Sequence, residues 1–592
     1  MSRRSVSRFT WVVVLLLLGG CQITIVNDGE ENRNKMTPTT IEQLTIEEVT
    51  LDRATYRPGQ TVTVTAHIHG EFSEPTSAHM RATLNHLNRG VDDVTEAVTL
   101  TGGDQTFSLT LTPPPTAPRG YGLDLVLQTA DGSTLARHTT AFDVLNHWTE
   151  APRYGFLSDF APGRDDAADT MRTLARYHIN ALQFYDWMYR HEQLLPDEEP
   201  YLDPLDRRLS LDTVEALVDA AHAQNIAAMP YTAVYAASIP FYEEHPDWAL
   251  FEANGDVHYF GENFLVYMDP RPGSPWTRHL LQQFESVLRE TDFDGIHLDQ
   301  YGAPKEAYDA QGQRFDLADP LAQLIDATQD VVQRHRDDGA VAFNAVTNWP
   351  IEAVAPAAQD IVYIEVWDPY VWFEDLHTLI VQAQELSQGK PVVLAAYIDP
   401  AWEHNVRLMD AIIFASGGGH IELGEQAAVL ADPYFPKHRP MSPVLAEAVR
   451  RLYDFAVRYQ DVIGARTQNA TPAYTRRITV DSASTNPSQR KNKVWPIVRE
   501  GQDFTAISLI NLRDVEQVRW DQEVPAAPAP LESTTLRLQE VNRDVAVVWL
   551  ATPDDNDIAP QPLAHELQDG TLTFTMPSLA YWNLIVIEWA DG

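Results

Sequence analysis

Cysteine is almost missing from this chain: one residue, Cys21, in 592. A protein with a single cysteine has no internal disulfide. Positive charge is scarce as well. Lys and Arg number 43 against 84 Asp and Glu, a formal net charge of −41. Such a surface repels nucleic-acid phosphates and anionic lipid heads, which excludes nucleic acid as a partner. A neutral polymer meets no such penalty. Paired histidine motifs such as His-Glu-x-x-His are lacking, so no metal is expected, and no cofactor either. Long apolar runs are absent except near the start, where Trp11–Leu18 is too short to span a bilayer comfortably.

That short run comes after Arg3, Arg4 and Arg8 and leads into Leu18-Gly19-Gly20-Cys21. The pattern resembles a bacterial lipobox. It implies cleavage of residues 1–20, a lipid on Cys21, and export to the cell surface or outer membrane. Residues 21–40 are polar and read as a flexible tether. The membrane is then a partner only through that lipid.

Beyond the tether the chain divides into three parts. Residues 41–147 alternate with period two, as in Thr61-Val62-Thr63-Val64-Thr65-Ala66-His67-Ile68, between turns such as Pro58-Gly59 and Asp131-Gly132. An immunoglobulin-like β-sandwich is expected there. Residues 148–460 alternate short apolar strands with amphipathic helices. The strands expected are Tyr154–Phe160, Ala181–Trp187, Ala227–Tyr235, Gly295–Gly302, Val341–Asn348, Ile361–Trp367, Pro391–Asp399 and Ala411–Glu425. Leu211–Gln224 and Trp276–Thr291 read as helices between them. Repeated β-then-α units over this length indicate a (β/α)8 TIM barrel with no insertion domain. Residues 461–592 return to strands, expected at Ala506–Leu512, Asp544–Leu550, Thr571–Met576 and Trp582–Ile587, and suggest a C-terminal antiparallel β-sandwich.

Barrel enzymes place their chemistry at the C-terminal ends of the strands. Polar and aromatic residues collect there: Tyr185-Asp186-Trp187, Asp299-Gln300-Tyr301, Asn344 and Asn348, Glu365-Val366-Trp367, Tyr397-Ile398-Asp399 and His420-Ile421-Glu422. A lone carboxylate at a strand end is more often a helix cap than a catalyst. Several on one rim suit carbohydrate, since carboxylates accept bonds from sugar hydroxyls and aromatic rings cover apolar sugar faces. The 14 Trp fit that reading, although core packing accounts for most aromatics. Glycoside hydrolysis needs two carboxyl groups, one ionised and one with a raised pKa. Asp299 and Glu365 are the candidates, and the apolar neighbours of Glu365 favour it as the acid. On pattern alone Asp186, Asp399 and Glu422 compete with them.

Several blocks together resemble glycoside hydrolase family 66: Asn180–His191, Asp294-Gly295-Ile296-His297-Leu298-Asp299-Gln300-Tyr301-Gly302, Tyr363-Ile364-Glu365-Val366-Trp367, Gly417–Glu425 and Tyr434-Phe435-Pro436. The family comprises endo-dextranases and cyclodextran-forming glucanotransferases, both retaining. The resemblance implies Asp299 as nucleophile and Glu365 as acid/base, with carboxyl groups about 5–5.5 Å apart. It implies dextran and isomaltooligosaccharides as partners. Candidate sugar contacts are Asp186, Trp187, Tyr235, Asp269, Gln300, Asn344, Trp367, Tyr397, His420 and Glu422. His191 reads as structural. Cyclising members carry an extra carbohydrate-binding module inserted in the barrel region; here only Pro400 to Asp410 separates strands seven and eight. That favours hydrolysis of internal α-1,6 links over cyclisation. A non-catalytic glycan-binding lipoprotein is the alternative from another class, and a monomer is expected.

Overall fold

The computed structural model describes residues 43–590 apart from residue 73. The leader, Cys21 and the tether lie outside the described residues.

The N-terminal part forms two antiparallel sheets. One has three strands, Gln43–Leu51, Val62–Glu71 and Gly103–Leu111; the other has four, Thr76–His86, Arg89–Leu100, Arg119–Thr129 and Thr134–Val144. The period-two pattern does its expected work. Val62, Val64, Ala66 and Ile68 point inward and join Met80, Leu84, Leu123, Leu125 and Phe142 in one core. Buried charge pairs fasten the sandwich to the barrel region. Asp143 meets Arg153 at 2.9 Å, and Asp124 meets the fully buried Arg458 at 2.6 Å.

The barrel has eight parallel strands in sequential order: Tyr154–Leu157, Ala181–Phe184, Ala227–Ala233, Gly295–Asp299, Ala340–Asn344, Ile361–Glu365, Val392–Ala395 and Gly419–His420. The ring closes where Phe156 N donates to Leu423 O at 3.1 Å. Gly155 permits that closure, because a Cβ there would lie 2.7 Å from the Leu423 carbonyl. Helices Leu211–Ala223, Pro275–Glu290, Ala318–His335, Phe373–Leu386, Glu403–Ala415 and Pro443–Arg458 are among those that connect or cover the strands.

Alternation along each strand separates two cores. Tyr154, Phe156, Ala181, Met229, Ala340, Ala342, Ile361, Tyr363, Val393, Ala395 and Ile421 fill the barrel interior. Their neighbours Leu157, Leu182, Ala228, Leu298, Phe343, Ile364 and Leu394 face the helices. This parity decides which rim residues reach the mouth.

The eighth strand corrects the sequence expectation. Ala411–Ala415 belongs to the helix Glu403–Ala415, and only Gly419–His420 pairs as strand. Residues 408–415 of that helix are buried all round, and a helix buried on every side reads like a buried strand. The loops over the mouth are also fuller than expected. Small antiparallel pieces, Ala236–Ser238, Tyr259–Phe260 and Leu265–Tyr267, come after strand three, and Glu306–Tyr308 pairs Arg314–Asp316 after strand four.

The C-terminal part packs a six-stranded sheet against a four-stranded one. Phe504–Leu512, Val545–Ala551, Thr571–Leu579 and Trp582–Trp589 lie at the segments expected, with Lys493–Glu500 and Leu531–Leu538 added. No helix among the described residues is long and apolar enough to cross a membrane.

Candidate active site

Continuing the inward parity past the strand ends brings six side chains to the mouth: Tyr185, Tyr231, Asp299, Asn344, Glu365 and Tyr397. Hydrogen bonds link five of them, all but Tyr185, into one chain. Tyr231 Oη donates to Asp299 Oδ2 at 2.7 Å. Asn344 Nδ2 donates to Asp299 Oδ1 at 2.8 Å and to Glu365 Oε2 at 2.9 Å. Tyr397 Oη donates to Glu365 Oε1 at 2.6 Å. The amide of Asn344 is held in that sense because its Oδ1 accepts the Glu365 backbone N–H at 3.2 Å.

Two carboxylates therefore share one donor. Their nearest oxygens are less than about 6 Å apart. Retaining glycosidases keep their carboxyl groups ~5–5.5 Å apart, whereas inverting ones leave ~6.5–9.5 Å for a water. The bound admits the shorter of these spacings.

The electrostatics come from that closeness. Burial, then the charge of Glu365, pushes the Asp299 carboxyl up to about 7, against the donors Tyr231 and Asn344. Burial also raises Glu365, against Tyr397, Asn344 and Trp367. Two carboxylates at this distance in a desolvated mouth do not ionise independently: burial and the neighbouring charge both favour the protonated form. Neutral donors surround both groups. Among the described residues no arginine or lysine pairs with either one, so one group can stay a proton donor while the other attacks.

The other expected contacts divide. Trp367 is 38% exposed and leans on Tyr397, ring centroids 5.5 Å apart. Tyr235 belongs to an aromatic group with Phe260, Tyr267 and Tyr301 on the side of strands three and four, and Tyr301 is 52% exposed. These two groups of rings flank the carboxyl pair. Asp186 is half-buried with a left-handed φ of 52°. Burial raises its carboxyl to about 7, although Arg207 stands 3.4 Å away and opposes the rise.

Five of the expected sugar contacts are buried or paired within the protein. Trp187 is fully buried; its indole donates to the Tyr231 carbonyl at 3.2 Å and packs on Phe293. The left-handed turn at Asp186 breaks the strand parity and swings Trp187 into the outer core. Asp269 spends its oxygens on Arg271, with contacts of 2.7–3.0 Å. Gln300 is buried and braces the loop through the carbonyls of Asn344 and Trp349, at 3.1 and 3.2 Å. His420 and Glu422 have the wrong parity. Ile421 between them points into the barrel, so both face the helices and are completely or almost completely buried. Of the competing acids, Asp399 is paired with Arg439, leaving Asp299 and Glu365 as the facing pair. His191 is buried, and burial lowers its pKa to about 4, in keeping with a structural place.

Tyr231 and Arg207 are the residues that sequence reasoning missed, and Tyr185 was noted on the rim without a role. Tyr185 stacks on Phe435 at 4.2 Å and lies close enough for the charges of Asp299 and Glu365 to raise its pKa further. The signal was available: Tyr185 and Tyr231 share the inward parity of their strands.

Residues 51–586 match the profile of glycosyl hydrolase family 66, and the chain belongs to that family. A cycloisomaltooligosaccharide glucanotransferase of Niallia circulans is 24% identical over 92% of this chain and 72% of its own length. A dextranase of Streptococcus salivarius is 23% identical over 79% of this chain and 67% of its own. The fold is shared with the crystal structure of a Paenibacillus cycloisomaltooligosaccharide glucanotransferase complexed with cycloisomaltoheptaose, at TM-score 0.85 and 24% identity, covering 92% of this chain and 100% of that one.

Proposed function

We propose that this member of glycosyl hydrolase family 66 cleaves α-1,6-glucosidic links of dextran-type glucans by double displacement. The observation that carries this reading is the pair of carboxyl groups joined through Asn344. Asp299 attacks C1 of the glucosyl unit. The bond to the leaving 6-oxygen breaks as Glu365 gives that oxygen its proton. Glu365 then takes a proton from the acceptor, whose oxygen displaces Asp299 from C1. Tyr231 holds the attacking carboxylate. Asn344 keeps the two groups at working distance. Trp367 and the Tyr235–Tyr301 group supply stacking surfaces for sugar rings.

The acceptor decides the product. An attacking 6-hydroxyl of the same glucan chain closes a ring, and the relatives favour this: those named glucanotransferases match more of the chain than the one named dextranase. One observation favours water. The alignment with the glucanotransferase runs over 704 residues, more than the 592 of this chain, so that relative carries segments missing here. Between strands seven and eight there is one helix, Glu403–Ala415, and no added module. Dextran hydrolysis to linear isomaltooligosaccharides is the second reading on this ground.

Product analysis on dextran tests both. Cyclic products support transfer, and linear products alone support the dextranase. Binding without any release of reducing ends or rings by the unmodified protein would sink the enzyme reading. We further propose export with a lipid on Cys21; Cys21→Ser should yield unlipidated protein in the soluble fraction, and unchanged membrane partitioning would refute it.

A further inference from the structure

Behind the eighth strand lies a second group of acids that the mechanism does not use. Asp410 comes from the helix Glu403–Ala415; His420 and Glu422 come from the eighth strand and the segment after it. All three are 0–2% exposed. One ligand-capable atom from each lies within 4.8 Å of the others.

We propose that Asp410, His420 and Glu422 form a buried structural site for a divalent transition ion of the zinc class. The orientation of His420 is the first support. Its Nε2 faces the Ala396 carbonyl at 3.0 Å, an acceptor only, so Nε2 carries a hydrogen. Nδ1 is thereby turned toward the two carboxyl groups, 3.0 Å from Asp410 Oδ1 and 4.0 Å from Glu422 Oε2. Metal-bound histidines are held in this way, with the remote N–H on a carbonyl. Spacing is the second support. Ligands ~2.0 Å from a tetrahedral zinc lie about 3.3 Å from one another, between the two distances seen.

The third support is polar accounting. Asp410 Oδ2 and Glu422 Oε1 are buried with no donor group reaching them, and the two carboxyl groups lie against each other. Tyr453 reaches Glu422 Oε2 only at 3.4 Å, and among the described residues no arginine or lysine pairs with either acid. Two carboxylates and one imidazole match the charge and donor preference of a borderline dication. With every ligand buried, the ion is taken up during folding rather than by exchange. It would fix the helix Glu403–Ala415 against the eighth strand. Through His420 and Ala396 it would also steady the strand end next to Tyr397.

Metal analysis of the full chain, expressed with added Zn²⁺ and dialysed against EDTA, tests the proposal. About one Zn²⁺ per chain should remain. Asp410→Asn and Glu422→Gln should each lose it, while His69→Ala, at the exposed His69–Asp104 contact, should not. Unfolding and refolding in EDTA should lower Tm by roughly 5 °C or more, restored by Zn²⁺ present during refolding. Refolding with Co²⁺ should give visible absorption bands, a readout that survives if the variants fail to fold. Wild-type protein that retains no more metal than Glu422→Gln, or a Tm indifferent to Zn²⁺ with no Co²⁺ bands, would overturn the proposal and leave the site held by protons.

Discussion

Two pairs of acids sit on the same barrel, one at its mouth and one between strand eight and the helix before it, and they are built in opposite ways. At the mouth, Asp299 and Glu365 are half-buried, and neutral donors reach them: Tyr231, Asn344 and Tyr397. Behind strand eight, Asp410 and Glu422 are sealed from solvent, and each keeps an oxygen that no donor group reaches. A neutral donor stabilises an anion without pinning it, so the mouth pair can exchange protons with a substrate. An enclosed pair has no substrate to serve and needs its charge balanced in place. Strand parity turns Asp299 and Glu365 inward and Glu422 outward, and the helix Glu403–Ala415 brings Asp410 to Glu422.

The sharpest way to break the contrast is at the mouth itself. Asp299→Asn should lower kcat on dextran by on the order of 10⁴-fold or more, and Glu365→Gln by on the order of 10²–10⁴-fold, with Tm nearly unchanged. Reducing-end and ring assays on purified variants check both. Activity within tenfold of the parent would remove these residues from the mechanism.

Asn344→Ala comes next. It takes a donor from both carboxyl groups at once, and donors to a carboxylate favour its charged form. Both pKa values should rise, carrying the acidic and basic limbs of the kcat profile to higher pH, with kcat down roughly 10–10²-fold. A profile that keeps its limbs would mean that Asn344 only fills space.

Tyr397→Phe removes one donor, from Glu365 alone. The folded pKa of Glu365 then rises further, its protonated form persists to higher pH, and the basic limb moves up while the acidic limb stays. A loss of about tenfold in kcat is expected, in line with one hydrogen bond to a charged group.

Two tryptophans separate packing from binding. Trp187→Ala should cost about 3–5 kcal/mol of stability in denaturant titrations, with little effect on the KM of the folded enzyme. Trp367→Ala should leave stability within about 0.5 kcal/mol and raise KM a few-fold. A reversed result would return Trp187 to the cleft.

Much of the fold was legible because alternating and continuous apolar runs need no knowledge of distant contacts. Val62 to Ile68 declares a half-buried strand by period, and Gly295 to Asp299 a buried one by composition. Asp299 and Glu365 were legible as carboxylates ending such strands. Three of the misplaced residues share one cause. Trp187, His420 and Glu422 were placed by nearness to a strand end, although their direction depends on parity, and a single left-handed residue at Asp186 resets it. Asp269 is occupied by Arg271, a contact that a strand-end search does not look for.

Local pattern was enough to establish the three-part order, the barrel, and the residue types available at its rim, since periodicity and composition are properties of short stretches of chain. Which acids face each other was settled by packing. Pairing across strands four, five and six puts Asn344 between Asp299 and Glu365, and the distances between strands arise from contacts that no short stretch encodes.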